Sequence, residues 1–406
     1  DGLKADQDAD TNAGYITIQG GEVSITSGGD GIDAQTDVIL TGGSIDVKAG
    51  GGASSTLNAS TSTKGVKAGV YLISEDASLN IDSADDGLHS NGALRLSSGT
   101  ITVASGDDGA HAEVAAVLDG ADLAVSQSNE GLEAGLITIS GGTVDLVATD
   151  DGVNASGSTS VEAGVAAVQD GSSSTENSET TTKDSHVGAS GQGAAPEGAT
   201  PPQGAIPPEG APNGGFGAAA PPNPGDKSGD SKGQGAPGAG MGGEFEDTGE
   251  QLNITGGTLT VNAGGDGIDS NGSITISGGN TTIYGPENGA NGALDYNGTM
   301  TLSGGTLLAI GSSDMAQAPS STEGEGWVSS TVSGSAGSTI TISDAQGVVL
   351  ASYTSPKAFA SVIFSSAEMT AGAQYTLSVD GVSTSVTAGE PAAGQMGGGR
   401  MPGPRG

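Results

Sequence analysis

A glycine returns along this chain at a nearly constant interval. Gly65, Gly87, Gly109 and Gly131 are 22 residues apart, and Gly152 follows after 21. Each repeat glycine sits in a hexad of similar grammar: GDGIDA (29–34), DDGLHS (85–90), DDGAHA (107–112), NEGLEA (129–134), DDGVNA (150–155) and GDGIDS (265–270). Gly31 precedes Gly65 by 34 residues, one period plus a polar insertion at 53–64. Gly267 lies 115 after Gly152, one period plus a 93-residue insertion. The opening DGLKAD and the later LDYNG (294–298) extend the series to nine units between residue 1 and about 313. A period of this length makes each unit one supersecondary element that buries its apolar face against its neighbours.

Each unit holds three short runs in which apolar and polar residues alternate. In one unit they contain Leu88/Ser90, Leu94/Leu96 and Ile101/Val103; in others Ile32/Ala34, Val38/Leu40 and Ile45/Val47, or Leu132/Ala134, Ile137/Ile139 and Val144/Leu146. Period-2 runs this short read as half-buried strands. The GG or SG between the second and third runs supplies a corner needing positive φ. Three strands and three corners per 22 residues describe one coil of a right-handed parallel β-helix, with coils about 4.8 Å apart. The nonapeptide calcium repeat also contains GxD, but its period is nine. With 75 glycines in 406 residues and 3% aromatics, a globular core of ordinary shape is not expected. The fold class read here is therefore all-β, in this organisation: β-helix at 1–156, a Pro/Gly/Ala-rich insertion at 157–246 expected to be disordered, helix continuation at 247–313, an antiparallel β unit at 314–390 and a disordered tail at 391–406. The antiparallel unit is read from two hairpin patterns, one turning at Gln346-Gly347 and one at Asp380-Gly381. It would cover the last coil, with Trp327 and Phe359 packed inside it rather than binding sugar.

Lys and Arg number 11 against 48 Asp and Glu, a net charge of −37. Nucleic acid is excluded as a partner, because phosphate binding needs a basic footprint. No run of 18 apolar residues is present, so no membrane span is expected. The chain starts at Asp1 and is read as a mature or trimmed form. The absence of Cys, with much Ser, Thr and Gly, leans toward an extracellular or cell-surface setting.

Stacked coils turn the hexads into columns of acids. The corner column reads Asp1, Asp30, Lys64, Asp86, Asp108, Glu130, Asp151 and Asp266, preceded in several coils by Asp85, Asp107, Asn129 and Asp150. The outward strand column reads Lys4, Asp33, Lys67, His89, His111, Glu133, Asn154, Asp269 and Asp295. Like charges about 5 Å apart cost on the order of 3 kcal/mol at an effective dielectric near 20. Calcium, which takes six to eight oxygens, would relieve that repulsion. The candidate metal ligands are Asp30, Asp33, Asp85, Asp86, Asp107, Asp108, Glu130, Asp150, Asp151, Asp266 and Asp269. The alternative reading is that these residues only cap turns through side-chain-to-backbone bonds. A loop at 6–12 with Asp6, Asp8 and Asp10 resembles the start of an EF-hand, but Thr11 stands where the glycine belongs. His89 and His111 share a column in adjacent coils and could bind a transition metal or act in catalysis; with nothing else in the sequence to complete a tetrahedral site, a solvated ladder is the preferred reading.

The segments GDGIDA, DDGLHSNGALRLSSGTITVASGDDGAHAE, NGALDYNGTMTLSGGTLLAIGSSDMAQAPS and GVVLASYTSPKAFASVIFSS resemble the carbohydrate-binding domain-containing proteins of clostridial-type bacterial cell surfaces. That resemblance spans about 1–156 and 247–390. It implies a calcium-binding parallel β-helix, similar in shape to polysaccharide lyases of family 9, extracellular and non-catalytic. The implied partners are plant polysaccharides such as polygalacturonate or cellulose. The family's acidic corner positions fall on Asp30, Asp33, Asp85, Asp86, Asp107, Asp108, Asp150, Asp151, Asp266 and Asp269. Lys64, Lys67 and Asn129 depart from that pattern and interrupt a continuous row of ions. Two other functions stay open: a calcium-assisted lyase with Lys67 as base, and a structural adhesin. Lys67 is a poor base because its acidic neighbours favour its charged form, and no catalytic residue is assigned.

Overall fold

The structure is a computed structural model that describes residues 1–7, 13–56, 61–160, 247–287, 289, 291–322, 325–392 and 396–397. Most of the insertion, most of the tail and two acids of the 6–12 loop, Asp8 and Asp10, lie outside the described residues. The fold is all-β, and no helix occurs among the described residues. Among the described residues, one sheet has 21 strands, and a four-stranded and a two-stranded sheet accompany it.

The 22-residue period becomes register. Leu3–Ala5, Ile32–Ala34, Val66–Ala68 and Leu88–Ser90 pair in parallel one after another. The ladder continues through Ala110, Leu132, Val153 and Ile268. A second ladder runs through Val38, Leu72, Leu94, Ala116, Ile137, Leu252, Ile274 and Met300. A third runs through Ile45, Leu79, Ile101, Leu123, Val144 and Leu259. The alternation seen in sequence decides which side chains face in. Ile101, Leu123 and Val144 are at most 1% exposed and belong to one continuous core. Apolar burial of this kind contributes roughly 1.5–3 kcal/mol per large aliphatic side chain. The strands on either side of the long insertion join the same turn of the stack: Val153–Ala155 and Gln251–Ile254 both pair with Leu132–Ala148. The chain therefore leaves and re-enters the repeat at one corner.

Two kinds of glycine hold this geometry. At the GG corners the requirement is conformational, as at Gly43 with φ 96°. In the hexads it is steric. A Cβ on Gly109 would lie 2.6 Å from the Gly131 carbonyl oxygen and 2.7 Å from Val125, and Gly31, Gly65, Gly87 and Gly131 meet the next coil in the same way. The hexad glycine is thus where successive repeats touch.

The C-terminal part differs from the expected separate cap in one respect. Ser361–Ser366 runs antiparallel to both Met300–Gly311 and Gly326–Ser330, so the large sheet is mixed. The last rung is closed by hydrogen bonds rather than merely covered. Thr339–Asp344 with Val349–Thr354, and Gln374–Val379 with Val382–Thr387, form the two expected hairpins. The second turns at Asp380 and Gly381, both at positive φ, as a two-residue turn requires. Trp327 closes the end of the long core, and Phe359 packs in the second core with Phe364 and Leu377.

Substituting Gly109→Ala should destabilise the protein by about 1–3 kcal/mol through overpacking between coils. Gly20→Ala, where a Cβ meets nothing within 4 Å, should stay within about 0.5 kcal/mol of the parent. Equilibrium denaturation of the two variants checks this; equal stabilities would refute the steric account of the repeat.

Candidate functional site

The acids of the hexads line one edge of the stack, and that edge is not a solvated surface. Asp30 and Asp86 are 2% exposed, Asp108 and His89 7%, and Asp266 and Asn154 9%. Parallel pairing of successive repeats buries them against the backbone and each other. Their charges must therefore be met inside the protein, by an ion, or by protons.

In the first coils the protein supplies the cations. Lys4 Nζ lies 2.9 Å from both Asp1 and Asp33. Asp30 accepts from Ser62 Oγ at 2.7 Å and the Lys64 amide at 2.8 Å, with Lys67 Nζ at 3.7 Å. Lys67 also lies 3.9 Å from Asp33. Lys64 Nζ reaches down a rung to Asp85 at 3.0 Å and Asp86 at 2.5 Å. Despite burial, those two carboxylates hold the Lys64 ammonium well above its usual range. Burial works against the Asp86 charge as well, yet the bond from His89 Nδ1 at 2.8 Å and the nearby Lys64 keep its carboxyl well below the usual range. The lysines that read as departures from the acidic pattern are internal counter-ions.

From Asp107 onward the picture reverses. Burial pushes Asp107 up to about 6, aided by Asp108, Asp86 and Asp85. Burial takes Glu130 to about 7, against the Asn154 Nδ2 bond at 3.0 Å and with Asp108, Asp151 and Asp150 nearby. Burial also raises Asp151 to about 6, Asp266 to about 7 and Asp269 to about 6, although Asp151 accepts the Asp266 amide and Asp266 accepts the Gly292 amide. Asp295 is raised too, chiefly by burial. Asp150 is exposed at the corner. Among the described residues, no salt bridge from Lys or Arg reaches Glu130, Asp150, Asp151, Asp266, Asp269 or Asp295.

Between these zones lie the histidines. His89 and His111 stand in register with ring centroids 5.0 Å apart. His111 Nδ1 is 3.2 Å from Asp108 and 3.5 Å from Glu133, while its Nε2 is 3.9 Å from Glu113. Despite burial, these carboxylates lift His111 to about 9. Of the readings left open by the sequence, the solvated ladder is corrected here: Asp86, Asp108 and Glu133 close around the imidazoles where successive repeats pair. Three sets of side chains bring potential ligand atoms within 4.8 Å of one another: Asp86/His89/His111, Asp108/His111/Glu133 and Asp85/Asp86/Asp107. The candidates Glu130, Asp150, Asp151, Asp266 and Asp269 are not brought into such a three-way set among the described residues. Sequence reasoning left Glu133, Asn154 and Asp295 out of the ligand set, although all three sit in the outward column, where the 22-residue spacing could have found them. Asn154 Oδ1 is buried without a hydrogen-bond partner, an open oxygen between the register neighbours Glu133 and Asp269.

Residues 1–109 match the family described as carbohydrate-binding domain-containing protein. The match covers the zone in which lysines neutralise the acids and ends at Gly109. No curated protein and no solved structure matches the chain.

The arrangement fixes the direction of a pH effect on the metal-free protein. Carboxyls raised in the folded state stabilise it below their ordinary values, and that stability is lost as pH rises through about 6–7. The contribution of His111 is likewise lost as pH rises through about 9, whereas that of Asp86 is lost only as pH falls below the ordinary Asp value. In chelator, the melting temperature should therefore rise by a few degrees as pH is lowered from about 8 to about 5. The rise should shrink in Asp266→Asn. A melting temperature that is flat or falls over that range would contradict the burial of uncompensated acids.

Proposed function

We propose that this is an extracellular, non-catalytic polysaccharide-binding protein that holds calcium along the acidic edge, with acidic plant glycans such as polygalacturonate as its ligands. The match of residues 1–109 to a carbohydrate-binding family supports a carbohydrate partner. The three parallel ladders and their 22-residue offset support a right-handed parallel β-helix as the scaffold, in the organisation read from the sequence: coils at 1–156 and 247–313, an excursion at 157–246, a C-terminal unit at 314–390 and a tail at 391–406. Nine coils about 4.8 Å apart make a face roughly 40 Å long, suited to a chain rather than to a small molecule.

The observation that carries the calcium reading is the run of half-buried to buried carboxylates Glu130, Asp151, Asp266, Asp269 and Asp295, which no Lys or Arg reaches among the described residues. Its donors are hard oxygens, and the unpartnered Asn154 Oδ1 is a neutral oxygen of the kind calcium accepts. Glu130, Asp151, Asp266, Asp269 and Asp295 would hold the metal, with Asn154 beside them; Asp30, Asp33, Asp85 and Asp86 are already engaged by lysines or His89. Bound calcium would supply positive charge and open positions to which uronate carboxylates can bind. An edge of this charge repels a uronate polymer unless cations mediate the contact. Aromatic stacking is a weaker basis for sugar binding here: Trp327 and Tyr296 are buried, and the exposed Tyr15 is isolated in sequence from other rings. The lyase reading is less well supported. Lys67 faces two carboxylates, and Arg95 is engaged by Asp119 with its Nε at 3.0 Å.

Calcium should raise the melting temperature at neutral pH, since a ligand of the native state stabilises by mass action. The chain should be retained on polygalacturonate in calcium and released by chelator. The double variant Asp151→Asn/Asp266→Asn should weaken retention at least tenfold while remaining folded. Pull-down together with an absorbance assay for unsaturated products checks both claims. Retention unaffected by chelator would reject the ion-mediated contact, and product absorbance that vanishes in Lys67→Ala would establish a lyase instead.

A further inference from the structure

The histidine cluster differs chemically from the oxygen-only zone beyond it. Calcium takes oxygen ligands, whereas imidazole with carboxylate suits borderline transition ions. We propose that Asp108, His111 and Glu133 form a binding site for one zinc(II)-type ion, with ligands distinct from the calcium set Glu130, Asp151, Asp266, Asp269 and Asp295.

Geometry favours that ion. His111 Nδ1 stands 3.2 Å from Asp108 Oδ2 and 3.5 Å from Glu133 Oε2, and all three donor atoms lie within 4.8 Å of one another. Ligand atoms bound tetrahedrally to zinc at 2.0–2.1 Å are about 3.4 Å apart. The set is therefore already near the spacing the ion requires, and no backbone movement is needed. The frame is rigid: Asp108 and His111 belong to one hexad, and Glu133 is the register neighbour of His111 in the parallel ladder. The remaining ring nitrogen of His111 faces the Glu113 carboxylate at 3.9 Å. A carboxylate on the far nitrogen is the outer arrangement that orients metal-binding histidines. Asn154 Oδ1, nine-tenths buried and without a hydrogen-bond partner among the described residues, lies next along the column from Glu133.

The neighbouring set Asp86/His89/His111 is less open. Asp86 Oδ2 already receives both Lys64 Nζ and His89 Nδ1, and His89 Nε2 is 2.8 Å from Asn91. His89 instead walls the site, its ring 5.0 Å from that of His111 at 66°. The lysine-free side of His111, toward Glu133, is where an ion enters.

The test uses the full chain and the metal alone, so its outcome is independent of glycan binding. The chain is stripped with chelator, then dialysed against limiting zinc(II) in a large excess of calcium, and bound metal is counted by mass spectrometry. One zinc per chain should be retained. His111→Gln and Glu133→Gln should each weaken zinc binding at least tenfold, with circular dichroism unchanged, while Asp266→Asn leaves it as in the parent. If His111→Gln does not fold, Glu133→Gln, which keeps the side-chain shape, carries the same expectation. Failure of the folded parent to retain zinc, displacement of zinc by calcium, or unaltered affinity in Glu133→Gln would overturn the proposal.

Discussion

Contact between successive repeats is the constraint from which the rest of this structure follows. Each hexad glycine meets the backbone of the next coil, and a Cβ at Gly31, Gly65, Gly87, Gly109 or Gly131 would lie within 2.7 Å of the carbonyl oxygen of the glycine one coil on. The contact fixes the register, and the register places like residues directly above one another. For apolar positions that stacking is favourable and builds one long core. For the corner acids it is costly, because like charges then stand one rung apart with little water between them. The edge is organised by how that cost is met.

The chain meets it differently along its length. From Asp1 to Asp86 the protein provides lysines that reach along or across rungs, and His89 adds an imidazole on Asp86. From Glu130 to Asp295 no lysine or arginine is provided among the described residues, and burial moves those carboxyls toward neutral pH values. Around His111, carboxylates surround an imidazole on both ring nitrogens. Three zones with different counter-charges thus follow one another along a single edge. The boundary between them falls close to where the carbohydrate-binding family match ends at residue 109.

Much of the architecture was legible because a strict period converts directly into register. The interval of 22 placed Ile101, Leu123 and Val144 in one column, and the structure pairs them in that order. The Asp380-Gly381 hairpin was equally readable, since few residue pairs tolerate positive φ in succession. What the period does not contain is how side chains reach between rungs. Lys64 interrupts the acidic pattern in the sequence, yet it is the ion that neutralises Asp85 and Asp86. His89 and His111 read as solvated because their partners, Asp86, Asp108 and Glu133, come from corners and from a different coil. The antiparallel closure by Ser361–Ser366 was also hidden: its apolar run is compatible with any sheet edge, and only the exposed last rung selects its place.

Glu130, Asp151, Asp266, Asp269 and Asp295 are half-buried to buried with no Lys or Arg on them among the described residues, and on the reading proposed here bound cations complete them. The most direct measurement is a side-chain carboxyl carbon NMR titration of Asp151, Asp266 and Asp269, in chelator and then in calcium. Midpoints near 6–7 are expected in chelator, falling below the ordinary Asp value once calcium is bound. Midpoints at the ordinary value in chelator, unchanged by calcium, would contradict it.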